Sequence, residues 1–375
     1  MNARNPSLDP GYAELCCTSN FTFLRGASHP EELVTRAAAL GLNALAITDH
    51  NSLAGVVRAY SALKELRREF GNDAPLPKLI IGARLILRDS DTHWIALPQD
   101  RAAYARLTRL LTLGKRRAPK GDCYLDQRDM VQGCSGMSLI ALPQQALNVS
   151  QAEIATLKKH FPADVFVGAA PRYDGSDQRY FDACATLAHR TAAPMVAVGD
   201  VLMHHGSRRQ LADVLTCLRD QIIIDQIGTR ALPNAERRLK PEADMKRLFV
   251  RHPAALRRTT QIAAKSSFCL SELSYEYPDE IASDELPQER LARLAAEGLK
   301  TRYPNGAPAR AIAQMEKELA LIKVLDFPAY FLTVHDIVQF ARSQGILCQG
   351  RGSAANSILC YLLGITDVSP ETITM

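Results

Sequence analysis

A glycine-rich turn near the carboxyl end of the 375-residue chain has the residue types of a phosphate-binding loop. The turn consists of Gly350, Arg351, Gly352 and Ser353. We predict a short strand before it, at residues 345–348, and a helix of small and apolar residues after it, at residues 354–363. Glycines let a ligand approach the backbone closely, a helix start offers unpaired N–H groups, and an arginine adds positive charge.

Ser353 is predicted both to cap that helix and to offer its hydroxyl group to a ligand. The alternative interpretation is an ordinary tight turn in front of a capped helix. The turn is not a Walker loop, because the Lys-Ser or Lys-Thr pair of that motif is missing at the required spacing.

A second group of residues has side chains that bind metal ions in other proteins. His50 follows the predicted strand at residues 44–48, Asp200 follows the predicted strand at residues 195–198, and His93 begins a further strand. Barrels of alternating strands and helices carry their functional groups at the carboxyl ends of the strands. Catalytic metals need several such ligands and a vacant position for water. The alternative is that these side chains are ordinary polar residues at the rim of a barrel.

The elements that must position these residues are strand-like and helix-like segments that alternate along the first two-thirds of the chain. Further strands are predicted at residues 78–81, 93–97, 138–142 and 164–167, and helices at residues 53–70, 101–113, 151–159, 178–189 and 207–219. Ser28 and Glu31 are predicted to form a capping box, and Gly41 to end the helix that follows. Repeated strand–helix units with apolar strands predict an α/β fold, with a parallel sheet closed or nearly closed into a barrel.

The last third of the chain has a different pattern. Residues 221–283 are predicted to be a helical connector, with helices at residues 239–249 and 253–265. The stretch at residues 275–287 breaks the periodicity, and beyond it residues 288–300, 309–325 and 333–343 have strong amphipathic helix patterns. The predicted domains are therefore a polar tail (1–10), a barrel (11–220), the connector (221–283) and a second domain (284–375).

Bulk composition excludes several classes of protein. The chain is 47% hydrophobic, has a formal net charge of +5 and contains nine cysteines. It lacks any run of about eighteen apolar residues and any Cys-x-x-Cys pair, so we expect a cytoplasmic protein with reduced thiols and no membrane span. The mild basic excess includes pairs such as Arg237 and Arg238, which could contact nucleic acid or lie on solvated surfaces.

Five segments resemble known sequences. Residues 327–338, FPAYFLTVHDIV, and the glycine turn are similar to the start of the palm in bacterial C-family DNA polymerases. The segments YAEL (12–15), NFTFLRGASHPEEL (20–33) and AITDH (46–50) resemble the amino-terminal PHP (polymerase and histidinol phosphatase) domain of that family. The form of the segment at residues 20–33 points to the error-prone, damage-induced branch. The resemblance implies a distorted PHP-type barrel of seven strands, followed by an incomplete palm.

In an intact PHP domain, the resemblance implies a cluster of His, Asp and Glu residues that binds up to three metal ions. At the matching positions His50, His93 and Asp200 remain, whereas the other ligands are replaced by Cys16, Thr18, Arg84 and Leu202. Arg84 stands where the family has a metal-bridging glutamate, and a guanidinium there opposes the binding of cations. We therefore expect no multinuclear metal site and expect Arg84 to neutralise Asp200. A single residual ion held in part by the Cys16 thiolate is the alternative.

The resemblance implies the amino-terminal portion of an error-prone DNA-directed DNA polymerase, a nucleotidyltransferase of translesion synthesis and DNA repair. Its implied cofactor is Mg²⁺, and its implied partners are DNA, deoxynucleoside triphosphates, a sliding clamp and damage-inducible accessory proteins. The four residues of the glycine turn would contact the incoming triphosphate. The catalytic aspartates are expected beyond Met375, so the chain alone is expected to be inactive. The alternatives are a PHP-type metal-dependent phosphoesterase or exonuclease, and a non-catalytic scaffold.

Overall fold

The computed structural model describes residues 11–71, 73–144, 147–274, 277 and 285–370. The chain divides into two compact units, residues 1–273 and 274–375. The predicted polar tail at residues 1–10 and most of the predicted boundary at residues 275–287 lie outside the described residues. The domain limits proposed from the sequence remain predictions.

One sheet of seven strands forms the centre of the first unit, and its strands follow their order in the chain. They are β1 (Ala13–Cys17), β2 (Ala44–His50), β3 (Lys78–Leu85), β4 (Thr92–Pro98), β5 (Met137–Pro143), β6 (Val165–Ala169) and β7 (Met195–Ala197). The α/β class is confirmed, and β2 to β7 lie at the positions predicted for strands in this part of the chain, whereas β1 was not predicted as a strand. The prediction of a parallel sheet is wrong at β4, which runs antiparallel to both β3 and β5. Residues 86–91 link β3 to β4, and this link is much shorter than the roughly dozen residues that a parallel crossover needs.

Nine helices accompany the sheet in the described part of this unit. They are α1 (Pro30–Ala39), α2 (Val56–Phe70), α3 (Arg101–Arg117), α4 (Gln127–Gly133), α5 (Leu147–His160), α6 (Asp177–Thr191), α7 (Arg209–Asp220), α8 (Glu242–Leu248) and α9 (Pro253–Lys265). Of these, α1, α2, α3, α5 and α6 pack on the outer face of the sheet. Side chains alternate along each strand: Leu45 and Ile47 of β2 pack with the helices, whereas Ala44 and Ala46 join a second cluster inside the curl of the sheet. Both faces of the strands are therefore buried, as expected for strands in a barrel.

Helix α9 lies in the predicted connector and packs against β1 and β7. Ile262 and Ala263 join the cluster inside the curl, and the N–H group of Ala13 donates to Oγ1 of Thr259 at 3.2 Å. Part of the predicted connector is thus integral to the core of the first unit.

The two ends of the sheet meet just beyond β7. The N–H group of Thr18 donates to the carbonyl oxygen of Val201 at 2.9 Å, and the N–H group of Val201 donates to that of Cys16 at 2.9 Å. Asp200, between β7 and this bridge, has a left-handed backbone with a φ of 46°. The sheet therefore curls into a nearly closed ring.

Glu14 of β1 links the same two segments through a buried carboxyl group. It accepts hydrogen bonds from the N–H groups of Cys16 (2.9 Å) and Gly199 (3.1 Å) and from the hydroxyl group of Tyr12 (2.7 Å). Burial raises the pKa of Glu14 to about 7, although all three hydrogen bonds act to lower it. A proton on this buried carboxyl group therefore favours the folded barrel.

The capping box of α1 lies one residue later than predicted. His29 is the N-cap, and its N–H group donates to Oε2 of Glu32 at 2.9 Å. Ser28 is not the cap, because its hydroxyl group is hydrogen-bonded to Nδ1 of His204 at 2.8 Å. The prediction for the end of the helix is confirmed: α1 ends at Ala39, and Gly41 follows with a φ of 64°.

The described part of the second unit is helical. Its helices are α10 (Pro287–Arg302), α11 (Ala309–Leu325), α12 (Pro328–Ser343) and α13 (Ile358–Leu362), with a short 3₁₀ helix at Gly352–Asn356. Leu291, Leu332 and Leu359 are at the centre of a buried cluster that joins α10, α12 and α13. Apolar side chains also remain exposed on α11, among them Val324 at 82%.

Two predictions around the glycine turn are wrong. Residues 345–348 do not form a strand, and Leu347 is fully exposed there, because the described part of this unit offers no neighbouring strand. The predicted helix at residues 354–363 begins only at Ile358, where Oγ of Ser357 accepts from the N–H group of Cys360. Ser353 is therefore not a helix cap. Among the described residues of the chain, none of the helices has the length and hydrophobicity needed to span a bilayer.

Candidate functional site

Arg84 is the centre of the cluster that the sequence singled out. It lies on β3 directly beside His50 of β2, and only 4% of its side chain is exposed. Its Nη2 atom donates to Sγ of Cys16 at 2.9 Å and also pairs with Oδ1 of Asp200, and Nη1 lies 3.4 Å from Nε2 of His50. One guanidinium group thus contacts side chains from β1, β2 and the segment after β7.

Asp200 pairs with two arginines at once. Its Oδ1 atom pairs with Arg84 and its Oδ2 atom with Arg237, whose Nε atom also donates to the carbonyl oxygen of Asp200 at 3.0 Å. Burial would raise the pKa of Asp200, but Arg237 and Arg84 hold it well below its usual range. The predicted pairing of Arg84 with Asp200 is confirmed. The role of Arg237 was missed, because in the sequence it appears only as part of a basic pair.

The two histidines lie side by side with their rings 5.9 Å apart. Burial, together with Arg84, lowers the pKa of His50 to about 2 and that of His93 to about 4. Both rings are therefore uncharged at neutral pH. Nδ1 of His93 is buried and has no hydrogen-bond partner among the described residues.

The residues at the other predicted ligand positions do not complete a metal site. Burial raises the pKa of Cys16 to about 12, although Arg84 lowers it, and the Sγ atom of Cys16 already accepts a hydrogen bond from Arg84 at 2.9 Å. Thr18 is buried, and Leu202 offers no lone pair. Among the described residues there is no group of three or more His, Cys, Asp or Glu side chains placed to hold a metal ion.

The donor set therefore does not fit a metal ion. Arg84 occupies the space that Cys16, His50 and Asp200 share, and its positive charge already satisfies the carboxylate. A divalent cation at this position would be repelled by the guanidinium group and would have to compete with two arginines for one carboxylate.

A cavity of about 190 Å³ opens beside Arg84 at this end of the sheet. His50, His93, Asp200 and Leu202 line it, together with five arginines. These are Arg25, Arg84, Arg219, Arg230 and Arg237. We call this cavity the arginine pocket. Sequence patterns did not indicate Arg219 or Arg230, because the pocket is built from segments that are distant in the chain.

The glycine turn in the second unit is open to solvent. Arg351 and Ser353 are exposed, and Gly352 has a φ of 60° with nothing within 4 Å of the position of a Cβ atom. Gly350 is more confined: its N–H group donates to the carbonyl oxygen of Ile365 at 2.7 Å, and a Cβ atom there would lie 3.1 Å from that oxygen. The left-handed backbone at position 352 favours glycine.

The free N–H groups predicted at the helix start are not available in α13. Those of Ile358 and Leu359 donate to the carboxylate of Glu318 at 3.3 and 3.2 Å, and the Ser357 hydroxyl group donates to it at 2.7 Å. A carboxylate of the chain therefore fills the place that a phosphate takes at other helix starts. A ligand could still contact the turn itself.

The curled seven-stranded sheet, with a cluster at its strand ends, defines a PHP-type barrel, and the family profile of the PHP domain matches residues 14–165. The profile of the bacterial DNA polymerase III alpha NTPase domain matches residues 289–375. One part of the chain thus matches a PHP domain and a later part matches NTPase-domain sequence. The chain is homologous to error-prone DNA polymerases over nearly its whole length.

An error-prone DNA polymerase of Ruegeria pomeroyi is 67% identical, with 97% of this chain and 36% of the relative covered. One from Rhodopseudomonas palustris strain BisB5 is 46% identical, with 98% of this chain and 33% of the relative covered. The chain therefore spans about a third of the length of these relatives. Among solved structures, an amidohydrolase from Chromobacterium violaceum superposes with a TM-score of 0.37 and 14% identity, over 51% of this chain and 88% of that one.

Proposed function

We propose that the chain forms the amino-terminal portion of an error-prone DNA-directed DNA polymerase that acts in translesion synthesis and DNA repair. The observation that carries this proposal is the 67% identity to the Ruegeria pomeroyi polymerase over 97% of the chain. DNA and deoxynucleoside triphosphates are the proposed substrates, and the cytoplasm is the proposed location. A sliding clamp and damage-inducible accessory proteins belong to the proposal through the family alone.

The proposal places the Mg²⁺-binding acids of the polymerase outside this chain. Asp367 is the described acid that follows the glycine turn, and it is paired with Arg302 at 2.8 Å and Arg342 at 3.5 Å. Glu371 lies outside the described residues. A two-metal site needs clustered carboxylates that bridge both ions, and a single neutralised aspartate does not supply them.

In this proposal the glycine turn contacts the triphosphate of the incoming nucleotide. The exposure of Arg351 and Ser353 and the open space at Gly352 support that role, because a phosphate could approach both side chains and the backbone. The short helix α13 is not part of it, since Glu318 already occupies its N–H groups.

For the barrel we propose a scaffold role without phosphoesterase or exonuclease activity. A PHP-type hydrolase needs metal ions that activate water. The Arg84 guanidinium group, which already pairs with Asp200, stands against such ions.

The test is primer extension by a hybrid polymerase, in which this chain replaces the matching third of the Ruegeria pomeroyi relative. We expect the hybrid to extend a primer with Mg²⁺ and the 375-residue chain alone not to do so. A folded hybrid that cannot extend primers would contradict the proposal.

Within the hybrid, Ser353→Ala and Gly352→Val test the glycine turn. Gly306→Val is the matched control for the second change, because Gly306 also has a positive φ (103°) and open space at its Cβ position. We expect extension to fall with Ser353→Ala and Gly352→Val and to persist with Gly306→Val. Normal extension by both turn variants would make the turn merely structural.

A further inference from the structure

The arginine pocket gathers far more positive than negative charge. Five arginines line it, whereas Asp200 is the acid among its described lining residues. Arg84 and Arg237 share that carboxylate, and Arg219 donates to Asp220 at 3.0 Å. This leaves an excess of positive charge that faces one small cavity.

Two of the five guanidinium groups have no partner among the described residues. The side chains of Arg25 and Arg230 line the pocket without a hydrogen bond or an ion pair to the described part of the chain. Burial, followed by the charges of Arg219, Arg84 and Arg237, lowers the pKa of Arg25. Like charges in a confined space repel each other, so a bound anion would lower the free energy of this arrangement.

Buried nitrogen atoms that line the pocket point to the same conclusion. Nε of Arg84 is buried without a hydrogen-bond partner, on a side chain that is only 4% exposed, and Nδ1 of His93 is buried and unpaired as well. A buried polar group without a hydrogen-bond partner destabilises the fold. The Nε–H group of Arg84 in particular calls for an acceptor, and an anion in the pocket would supply several.

We propose that the arginine pocket binds a phosphoryl group without a metal ion, with Arg25 and Arg230 as its free cations and Arg84 at its base. Guanidinium groups bind phosphate oxygens in pairs, and a phosphate carries more charge and more acceptors than a carboxylate. A water molecule needs roughly 10–15 Å³ of cavity volume. The cavity of about 190 Å³ therefore has room for a small polyatomic anion with its bound water. The phosphoryl group comes either from free phosphate or pyrophosphate, or from the terminal phosphate of a DNA strand.

Titration calorimetry with the full 375-residue chain tests this proposal. Inorganic phosphate and pyrophosphate are added at constant ionic strength, with EDTA present to exclude metals and with acetate as a second anion. Arg25→Gln and Arg230→Gln remove the two free cations, and both side chains are exposed enough to be changed without disturbing the core. Arg68→Gln, at an exposed arginine on α2, is the matched control.

We expect saturable binding of phosphate or pyrophosphate to the unchanged chain. Each pocket variant should weaken this binding about tenfold or more, because it removes one hydrogen bond from a charged group. The control should bind like the unchanged chain, and acetate should not compete. Absence of binding, equal binding by all variants, or competition by acetate would overturn the proposal.

A second arm identifies the source of the phosphoryl group. The chain is titrated with one oligonucleotide that carries either a 5′-phosphate or a 5′-hydroxyl group. Tighter binding of the phosphorylated form that Arg25→Gln abolishes would identify a DNA terminus as the ligand. Equal binding of both forms, together with pyrophosphate binding, would identify the free anion. Trp94, the single and fully buried tryptophan, reports by fluorescence that each variant is folded.

Discussion

The Nη2 atom of Arg84 donates a hydrogen bond to Sγ of Cys16 at 2.9 Å, so a guanidinium group on β3 lies against a thiol on β1. The same group pairs with Asp200 beyond β7. These residues occupy positions at which the PHP resemblance implies metal ligands. A side-chain cation therefore links the strands at the end of the barrel where metal ions would otherwise do so.

We predict that Arg84→Gln destabilises the barrel by about 3 kcal/mol, because removing one partner of a buried ion pair leaves the other charge under-compensated. Arg237 still pairs with Asp200, so we expect the low end of the usual range for such losses. The free energy of unfolding is measured in urea through the fluorescence of Trp94, which lies on β4.

Arg88→Gln is the control for this prediction. Arg88 pairs with Asp126 at 2.7 Å on the surface, and exposed pairs contribute at most about 1 kcal/mol. If Arg84→Gln lowers the free energy of unfolding by no more than Arg88→Gln does, the buried cluster does not stabilise the barrel.

We predict that chelation leaves the barrel unchanged and that added metal gives it no hydrolytic activity. EDTA should not shift the unfolding midpoint, because Arg84 and not a metal ion neutralises Asp200. With Mn²⁺ or Zn²⁺, a chromogenic phosphodiester and a mispaired primer should both remain intact. Turnover that disappears in the double variant His50→Ala, Asp200→Ala would show that a metal site survives.

Glu14→Gln should make the barrel relatively more stable at alkaline pH. The pKa of Glu14 is raised from 4.5 to about 7, so its stabilising contribution is complete below the lower value and is lost as the pH rises through about 7. Glutamine keeps the uncharged state at every pH. The stability of the variant relative to the unchanged chain should therefore rise by about 2–3 kcal/mol between about pH 5 and pH 8.

Urea unfolding at several pH values measures this difference. His50 and His93 have lowered pKa values in the folded barrel. Their contribution to the free energy of unfolding is therefore lost in the opposite direction, as the pH falls below the pKa of histidine in the unfolded chain. Comparison of the variant with the unchanged chain cancels them. A difference that stays flat from about pH 5 to pH 8 would mean that Glu14 is charged in the folded barrel.

Limited proteolysis should leave a resistant fragment that ends within residues 275–287. The first unit buries both faces of its strands, whereas α11 and α12 keep large apolar side chains exposed, including Val324 and Phe340. Mass spectrometry of the fragments locates the cuts. If residues 290–375 resist the protease as well as the barrel does, the helices of the second unit are packed more firmly than we infer.

The sequence predicted the elements better than it predicted their ends and partners. The helices Pro253–Lys265 and Ala309–Leu325 begin and end where periodicity placed them, because apolar spacing is a local signal. Ser353 failed as a cap because Ser357 caps α13 and Glu318 binds its N–H groups, and Glu318 lies far away in the sequence.

Only part of the candidate site was predicted, because contacts between residues that are distant in the sequence leave no local signal. Arg84 and Asp200 were identified by matching motif positions, and opposite charges at one strand edge predicted their pairing. Arg237, Arg219 and Arg230 carry no motif, and only the folded chain brings them to the pocket. Local patterns cannot show which surface arginines the fold will turn inward.

The contact between Glu14 and Gly199 joins residues that are 185 positions apart. At ribosomal rates of about 5–20 residues per second, the first strand is made roughly 10–40 s before the segment that closes the ring. During that interval the outer edge of the strand is open, and an open edge is a template for pairing with other chains. The speed of translation over the first 200 residues therefore controls how long the nascent barrel is exposed to aggregation.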